Sequence, residues 1–244
     1  MSRDKLKFLL VQIRDLEQVR LEELQSFAQF SDISLNNIDV LNVFDTPQFD
    51  AQIVEKYDAV FVGGASEASV LEPENYPFLN DAVNLLQHCL KIEKPVFASC
   101  FGFQLAVVAL GGEIVRDERD FEIGTLPISL TPEAAQDPIL KHAPNPFLAV
   151  SVHRERAPTL PDNCTLLAYT DACPHAFKVD GKPFWGFQFH PEVDKKVLVE
   201  RLTVFSEKYT ENSEHLKRVL TNAQETPESN DLPRMFVDFL LEQA

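Results

Sequence analysis

The sequence contains few cysteines, and their placement excludes two classes of protein. Among its 244 residues there are only four, and no two of them form a Cys-x-x-Cys pair. This number and spacing argue against a disulfide framework and against a metal site of the usual ligand spacing. We therefore predict neither a metal nor a cofactor. The length suits one large α/β domain with a sizeable core.

Basic residues are also scarce. The chain has 22 lysines and arginines against 38 acidic residues, so its formal net charge is −16 at pH 7. Nucleic acids and anionic membrane surfaces would be repelled by this charge, and we exclude both as partners. An acidic, solvated surface that maintains solubility is the simpler interpretation.

Long apolar runs are absent as well. Near the amino terminus the only uninterrupted run is Phe8–Val11. It is too short for the core of a signal peptide, and no small-residue cleavage site follows it. No stretch approaches the length that spans a bilayer. We therefore expect a cytoplasmic protein.

The first half of the chain alternates predicted strands with predicted helices. This order predicts a parallel sheet with helices on both faces, whose ligand site lies at the carboxyl ends of the strands. The predicted strands are Lys7–Ile13, Ile38–Phe44, Tyr57–Val62 and Pro95–Ser99, and the predicted helices are Leu16–Phe30 and Phe78–Ile92.

The second half changes to short strand-like runs separated by Pro, Asp and Gly. Asp180-Gly181 between two of them is a hairpin signal. We expect a flavodoxin-like, doubly wound, mostly parallel α/β sheet with an antiparallel extension in this half. The predicted runs are Thr125–Leu130, Phe147–Val152, Leu166–Tyr169, Ala176–Val179 and Pro183–Phe189, followed by a helix over Val193–Tyr209.

We divide the chain into a main domain over residues 1–210 and a helical extension over residues 211–244. The extension is polar, has a breaker that begins at Thr226, and ends in an apolar helix over Leu232–Leu241. We expect it to pack on the same domain.

Two short segments carry the residues of an activated thiol. Val96, Phe97 and Ala98 form an apolar strand that stops at Cys100, with Gly102 close behind and a helical run after it. A side chain at such a strand-to-helix turn is pushed out of the sheet, and the helix N-terminus behind it favours a thiolate.

The second segment supplies a base. His190 is followed two residues later by Glu192, whose carboxylate can fix the tautomer of the imidazole. Together with Cys100 these residues compose a Cys-His-Glu nucleophile. Taken alone, Cys100 would be a buried structural cysteine and His190 an ordinary strand-end histidine.

These segments resemble the class I glutamine amidotransferase family, in particular its stand-alone members. The resemblance extends from about Leu6 to about Leu202. Its marks, in chain order, are Val62-Gly63-Gly64 after a strand, Cys-Phe-Gly-x-Gln at 100–104, Ala-Leu-Gly-Gly at 109–112, a His153 segment that runs to Leu160-Pro161, and His-Pro-Glu at 190–192.

The sequence departs from the family pattern at three positions. Ala98 stands where the family usually has glycine, and Phe103 where it very often has histidine. Glu155 replaces an aspartate that commonly follows the middle histidine. The nucleophile and base are intact, whereas the way in which free glutamine is held is open.

The resemblance implies roles for further residues. The amides of Gly64 and Phe101 would form the oxyanion hole, with a tight turn at Gly63-Gly64 as the alternative. Gln104 and His153, together with Gly63, would lie on the substrate side. The alternatives are a solvent-facing glutamine and a structural histidine. His175 beside Cys173 offers only two metal ligands, too few for a site.

Three functions remain open at this point. The first is a glutaminase or amidotransferase that passes ammonia to a separate synthase subunit. The second is a self-sufficient γ-glutamyl hydrolase or peptidase, and the third is a binding module that keeps the fold without the chemistry. The chain shows no synthase domain and no Gly-x-x-x-x-Gly-Lys-[Ser/Thr] phosphate loop, which favours hydrolysis of a small γ-glutamyl substrate.

Overall fold

A computed structural model describes residues 2–116, 121–205 and 213–243, and these residues form one mixed sheet covered by helices. The strands are β1 Phe8–Gln12, β2 Ile38–Asn42, β3 Ala59–Val62, β4 Val96–Ser99, β5 Val115–Arg116, β6 Glu122–Leu130, β7 Phe147–His153, β8 Glu155–Arg156, β9 Cys164–Tyr169, β10 Pro174–Val179 and β11 Phe184–Phe187. The helices are α1 Glu17–Ser31, α2 Leu79–Ile92, α3 Phe101–Ala109, α4 Lys195–Val204, α5 Ser213–Asn222, α6 Pro227–Asn230 and α7 Leu232–Gln243.

The main sheet has two halves of different direction. Its nine strands run in the order β2-β1-β3-β4-β11-β10-β9-β6-β7. From β2 to β11 all neighbours are parallel, and from β11 to β7 all are antiparallel. This confirms the expected α/β fold with a mostly parallel sheet and an antiparallel extension. The Asp180-Gly181 turn joins β10 to β11 as a hairpin, as predicted.

Helices cover both faces because the central parallel strands are buried on both sides. Strands β1, β3 and β4 are buried at every residue, which is typical of parallel sheets. Helix α2 buries an apolar stripe at three- and four-residue spacing against one face, together with α3. Helices α1 and α7 pack on the other face.

The carboxyl-terminal helix α7 contributes to the core. Phe236 contacts the rings of Phe61 and Phe97, which point from β3 and β4, and that of Trp185 from β11. The predicted extension therefore includes a helix that lies on the main sheet. Its predicted boundary at residues 210–211 lies outside the described residues, so the division into two units stays a prediction.

Several element bounds differ from the sequence predictions. Helix α4 ends at Val204, and residues 206–209 of the predicted helix lie outside the described residues. Strand β11 ends at Phe187 and not at Phe189, so the next residues form a loop that leads to His190. The short antiparallel pair β5–β8, which joins Arg116 to Glu155, was not predicted. Within the described residues, no helix combines the length and the apolar character needed to cross a membrane.

Candidate active site

The predicted nucleophile Cys100 occupies a strained turn between β4 and α3. Its backbone has φ 51° and ψ −102°, a region that residues other than glycine rarely adopt. The Cys100 amide is held by a hydrogen bond to the carbonyl of Phe187 on β11 at 2.7 Å. The first turn of α3 comes so close to β3 that a Cβ at Gly102 would lie 2.6 Å from the carbonyl oxygen of Val62. A glycine at position 102 is therefore required for this turn.

The predicted base His190 lies beside Cys100, within hydrogen-bonding reach of its side chain. Its amide donates to the carbonyl of Val150 on β7 at 2.8 Å, and its Nδ1 is 2.7 Å from Oε1 of Glu192. Nδ1 is thus occupied by the carboxylate, and Nε2 is the ring nitrogen that remains for the thiol.

The three side chains are coupled through their charges. Burial opposes the imidazolium form of His190, but the negative charges of Cys100 and Glu192 outweigh this and raise its pKa to about 9. Glu192 is fully buried. Burial favours its neutral form, yet the charge of His190 and the hydrogen bond to it hold the pKa of Glu192 below its usual range. The arrangement therefore favours an ion pair of thiolate and imidazolium.

A buried ion pair lies behind this group, and the sequence did not reveal it. Arg14, just after β1, is 2.9 Å from Glu23 on α1, and it donates to the Ser66 hydroxyl at 2.9 Å. Both charged side chains are almost completely buried. A Cβ at Gly64 would lie 2.8 Å from both the Arg14 guanidinium and the His190 ring, so a glycine is needed there. Only the three-dimensional contact of β1, α1 and the Gly64 turn makes this pair visible.

The loop of His190 and Glu192 is also held by the carboxyl-terminal segment. The side-chain amide of Asn230 on α6 donates to the carbonyls of Pro191 at 2.8 Å and Val193 at 3.0 Å. Sequence analysis missed Asn230 because it lies far from the loop along the chain.

A cavity of about 360 Å³ opens above Cys100. This volume is at the lower end of the range for pockets that bind small molecules, about 300–1,000 Å³. The wall combines basic and acidic groups with few apolar ones. It is lined by Ala65, Ser66, Glu67, Ala68, Ser69, Glu72, Tyr76, Cys100, Phe101, Gln104, Arg116, Val152, His153, Arg154 and Glu155.

The predicted substrate-side residues divide into two groups. Gln104 and His153 line the cavity, and Gln104 uses its amide nitrogen to bind the carbonyl of Glu155 at 2.9 Å. Gly63 is not part of this lining. Its amide donates to the carbonyl of Val11, and a Cβ there would lie 2.8 Å from the carboxylate of Glu23. The structure gives Gly63 a packing role and shows no contact with the cavity.

The two predicted oxyanion donors lie at the ends of parallel strands. Phe101 is the first residue of α3, and Gly64 follows β3. Among the described residues, neither amide donates a hydrogen bond to another backbone carbonyl. Both N–H groups therefore remain free to bind an oxyanion.

Of the three departures from the family pattern, only one faces the cavity. Ala98 is fully buried within β4, and the positive φ falls on Cys100 instead, so alanine is unstrained there. Phe103 is also buried, with its ring centroid 5.2 Å from that of Phe177. Glu155 lines the cavity, where its carboxylate accepts from Ser69 at 2.7 Å and lies 3.2 Å from Arg116. Any effect on substrate therefore rests mainly on Glu155.

The premise for dismissing a metal near Cys173 and His175 is wrong. The fold brings Glu122 and His153 to them, and one potential ligand atom from each of the four residues lies within 4.8 Å of the others. These residues come from separate strands, so their spacing along the chain carries no signal.

Comparison with known proteins decides the family. The sequence model of the family described as "Glutamine amidotransferase class-I" matches residues 26–203, which is more than half of the chain. The chain belongs to the class I glutamine amidotransferase family.

Relatives of this amidotransferase-family chain include proteins of two kinds. It is 32% identical over 118 residues to a subunit of the glutamine-hydrolysing GMP synthase of Methanocaldococcus jannaschii, which covers 48% of this chain and 61% of that protein. It is 28% identical over 174 residues to "Gamma-glutamyl peptidase 5" of Arabidopsis thaliana, which covers 66% of this chain and 64% of that protein. The chain thus spans less than two thirds of the length of each.

Solved structures share the fold of the whole family member. A glutamine amidotransferase from Thermotoga maritima superimposes with a TM-score of 0.76 at 21% identity, covering 98% of this chain and 97% of that one. A glutamine amidotransferase from Methylobacillus flagellatus gives a TM-score of 0.72 at 15% identity, covering 98% and 95%. At these identities the likeness concerns the fold alone.

Proposed function

We propose that this chain is a cysteine-dependent hydrolase of γ-glutamyl amide bonds. The observation that carries the proposal is the arrangement of three side chains: Cys100 on a strained turn, His190 within hydrogen-bonding reach of it, and Glu192 at 2.7 Å from His190. A cysteine, a base and a group that orients the base are the parts of a thiol nucleophile.

The reaction follows from these parts. The Cys100 thiolate attacks the γ-carbonyl carbon, and the negative charge moves to the carbonyl oxygen, which the amides of Gly64 and Phe101 would bind. His190 gives its Nε2 proton to the departing amine as the C–N bond breaks, leaving a γ-glutamyl thioester. A water molecule then attacks the thioester, and His190 accepts its proton. Cleavage of the C–S bond releases the γ-carboxylate and restores the thiolate with the imidazolium.

The charges of the cavity suit an α-amino acid. The guanidinium of Arg116 is about half exposed and lies between Glu155 at 3.2 Å and Glu72 at 4.0 Å. Such alternating charges can pair with the α-carboxylate and α-ammonium groups of a glutamyl unit or of an amino-acid leaving group. With about 360 Å³ the cavity has room for a substituent on the amide nitrogen.

We favour a γ-glutamyl compound with a leaving group larger than ammonia as the substrate. The likeness to a γ-glutamyl peptidase, the Glu155 that faces the cavity and the size of that cavity support this choice. The likeness to the glutamine-hydrolysing GMP synthase favours a second function, a glutaminase that delivers ammonia to a separate synthase subunit. The retained triad argues against a binding module without chemistry.

A release assay with the purified chain separates the two enzymes. We expect hydrolysis of at least one compound among γ-glutamyl dipeptides and glutathione, detected as free amine, with free glutamine as a poor substrate. The variant Cys100→Ala should lose at least about 10⁴-fold in rate, as triad enzymes do when the nucleophile is removed. Strong ammonia release from glutamine that rises when a synthase partner is added would instead support the amidotransferase.

Covalent labelling tests the nucleophile independently of the substrate. A diazo-ketone analogue of glutamine should add mass at Cys100 alone. Burial raises the pKa of Cys89 and of Cys164 to about 12, so neither is a competent nucleophile near neutral pH. The variant Cys164→Ser is the matched control and should label like the parent protein. Equal labelling of all four cysteines, or none at Cys100, would overturn the proposal.

A further inference from the structure

A second group of reactive side chains lies beside the cavity, and the proposed hydrolysis makes no use of it. Glu122 begins β6 and pairs in register with His153, the last residue of β7. His175 lies on β10, and Cys173 precedes that strand. Three of the four residues are buried and Glu122 is nearly so. The fold therefore concentrates two imidazoles, a thiol and a carboxylate in the interior.

The contacts centre on one oxygen atom. Oε2 of Glu122 is 2.7 Å from Nε2 of His175, 3.1 Å from Nε2 of His153 and 3.7 Å from Sγ of Cys173. All four ligand atoms lie within 4.8 Å of one another. Zinc binds oxygen, nitrogen and sulfur at about 2.0–2.3 Å, so tetrahedral donors stand about 3.3–3.6 Å apart. Shifts of roughly half an ångström would complete such a shell.

The protonation of the group suits a cation. Burial alone would raise the pKa of Glu122, but its two histidine neighbours hold it well below the usual range, so the carboxylate is ionised. Burial lowers the pKa of His153 and favours the neutral imidazole, which is the form that ligates metals. One carboxylate and one thiolate neutralise a divalent ion, which reduces the cost of burying the charges.

Hydrogen bonding within the group is incomplete. Nε2 of His153 is close to Glu122 but is not aligned for a hydrogen bond, and neither ring nitrogen of this buried histidine has a well-formed partner among the described residues. An ion between Glu122 and His153 would satisfy Nε2. Nδ1 of His153 and Nδ1 of His175 lack such a partner with or without the ion, so they do not distinguish the two states.

We propose that Glu122, His153, Cys173 and His175 form a binding site for a divalent transition-metal ion, with zinc as the best match. Two imidazoles and a thiolate select zinc over the oxygen-preferring calcium and magnesium ions. Four protein ligands give a closed, structural type of site. Because His153 also lines the cavity, the ion fixes one wall of the candidate active site.

Metal binding is measured in the Cys100→Ala background, which removes the competing thiolate beside His190. The full chain is treated with a chelator, dialysed, and titrated with Zn²⁺ or Co²⁺ alone. We expect one equivalent of zinc per chain after gel filtration, by elemental analysis. We also expect a thiolate-to-cobalt charge-transfer band in the near ultraviolet, and a thermal midpoint that rises by about a few degrees with zinc.

Matched variants assign the ligands. Cys173→Ser should abolish the cobalt charge-transfer band, and His175→Gln should weaken zinc binding by at least about tenfold. Cys164→Ser and His88→Gln, which alter a cysteine and a histidine outside the group, should bind as the parent does. Zinc content far below one equivalent in the folded Cys100→Ala protein would overturn the proposal, whether or not the ligand variants fold. A band that survives Cys173→Ser would do so too. Either result would leave a metal-free hydrogen-bonded group and would not affect the proposed hydrolysis.

Discussion

The parallel and antiparallel halves of the sheet build the candidate site in different ways. The parallel half places its groups where strands end, so that Cys100 follows β4, Gly64 follows β3 and His190 follows β11 by a few residues. The antiparallel half, with the short β5–β8 pair, places side chains by register, as in the pairing of Glu122 with His153. We infer that the first half sets the chemistry and the second sets the wall that meets the substrate.

This difference predicts unequal costs for breaking an ion pair in each half. Arg14→Ala should lower the free energy of unfolding by about 3–5 kcal/mol, because it leaves the buried Glu23 without its guanidinium. Burial already raises the pKa of Glu23, so the loss should grow as the pH rises and the isolated carboxyl must ionise. Urea unfolding at several pH values measures it.

Controls for this comparison come from both halves. Arg116→Ala removes the half-exposed partner of Glu155 and should cost only about 0–1 kcal/mol. Replacing both members of the buried pair, by Arg14→Met with Glu23→Leu, should cost less than Arg14→Ala alone. Equal losses for Arg14→Ala and Arg116→Ala would contradict the contrast between the halves.

The second prediction concerns the pH dependence of the reaction. The pKa of His190 is raised to about 9, so its imidazolium is available as the general acid up to that pH. We expect kcat/KM to fall about tenfold per pH unit above about 9. The stability that this ion pair contributes is present in full below the usual histidine pKa of about 6.5 and is lost as the pH rises through about 9.

Glu192→Gln sharpens this test. It removes one of the negative charges that favour the imidazolium, so the alkaline limb should move to lower pH by about one unit. Circular dichroism at each pH checks that the fold persists. A limb at the same pH in both proteins would assign it to a group other than His190.

The smallest effect is expected in the antiparallel half. Glu155→Asp shortens the side chain and withdraws it from Ser69 and Arg116. Because these groups lie in the wall and not at the triad, KM should change by about 3–10-fold with kcat nearly constant. The ratio of rates for free glutamine and a γ-glutamyl dipeptide should shift towards glutamine. Steady-state kinetics would refute this if kcat fell while KM stayed constant.

The same division explains how much the sequence reveals. Cys100 with Gly102, and His190 with Glu192, lie within a few residues of one another at strand ends, so short motifs predict them together with the parallel sheet. The residues that were missed are joined by tertiary contact, as Arg14 is to Glu23 and Asn230 to the loop of His190. Gly63 shows the converse error, since a motif position proved to contact Glu23 and not the cavity.

The positive φ of Cys100 also bears on the evolutionary history of the chain. A non-glycine residue in such a conformation costs about 1–3 kcal/mol, and this strain would be relieved by a glycine at position 100. A lineage released from selection for chemistry could gain stability through this one substitution, whereas a lineage that needs the thiol must bear the cost. The cysteine retained here is therefore a sign of selection that favours reactivity over stability.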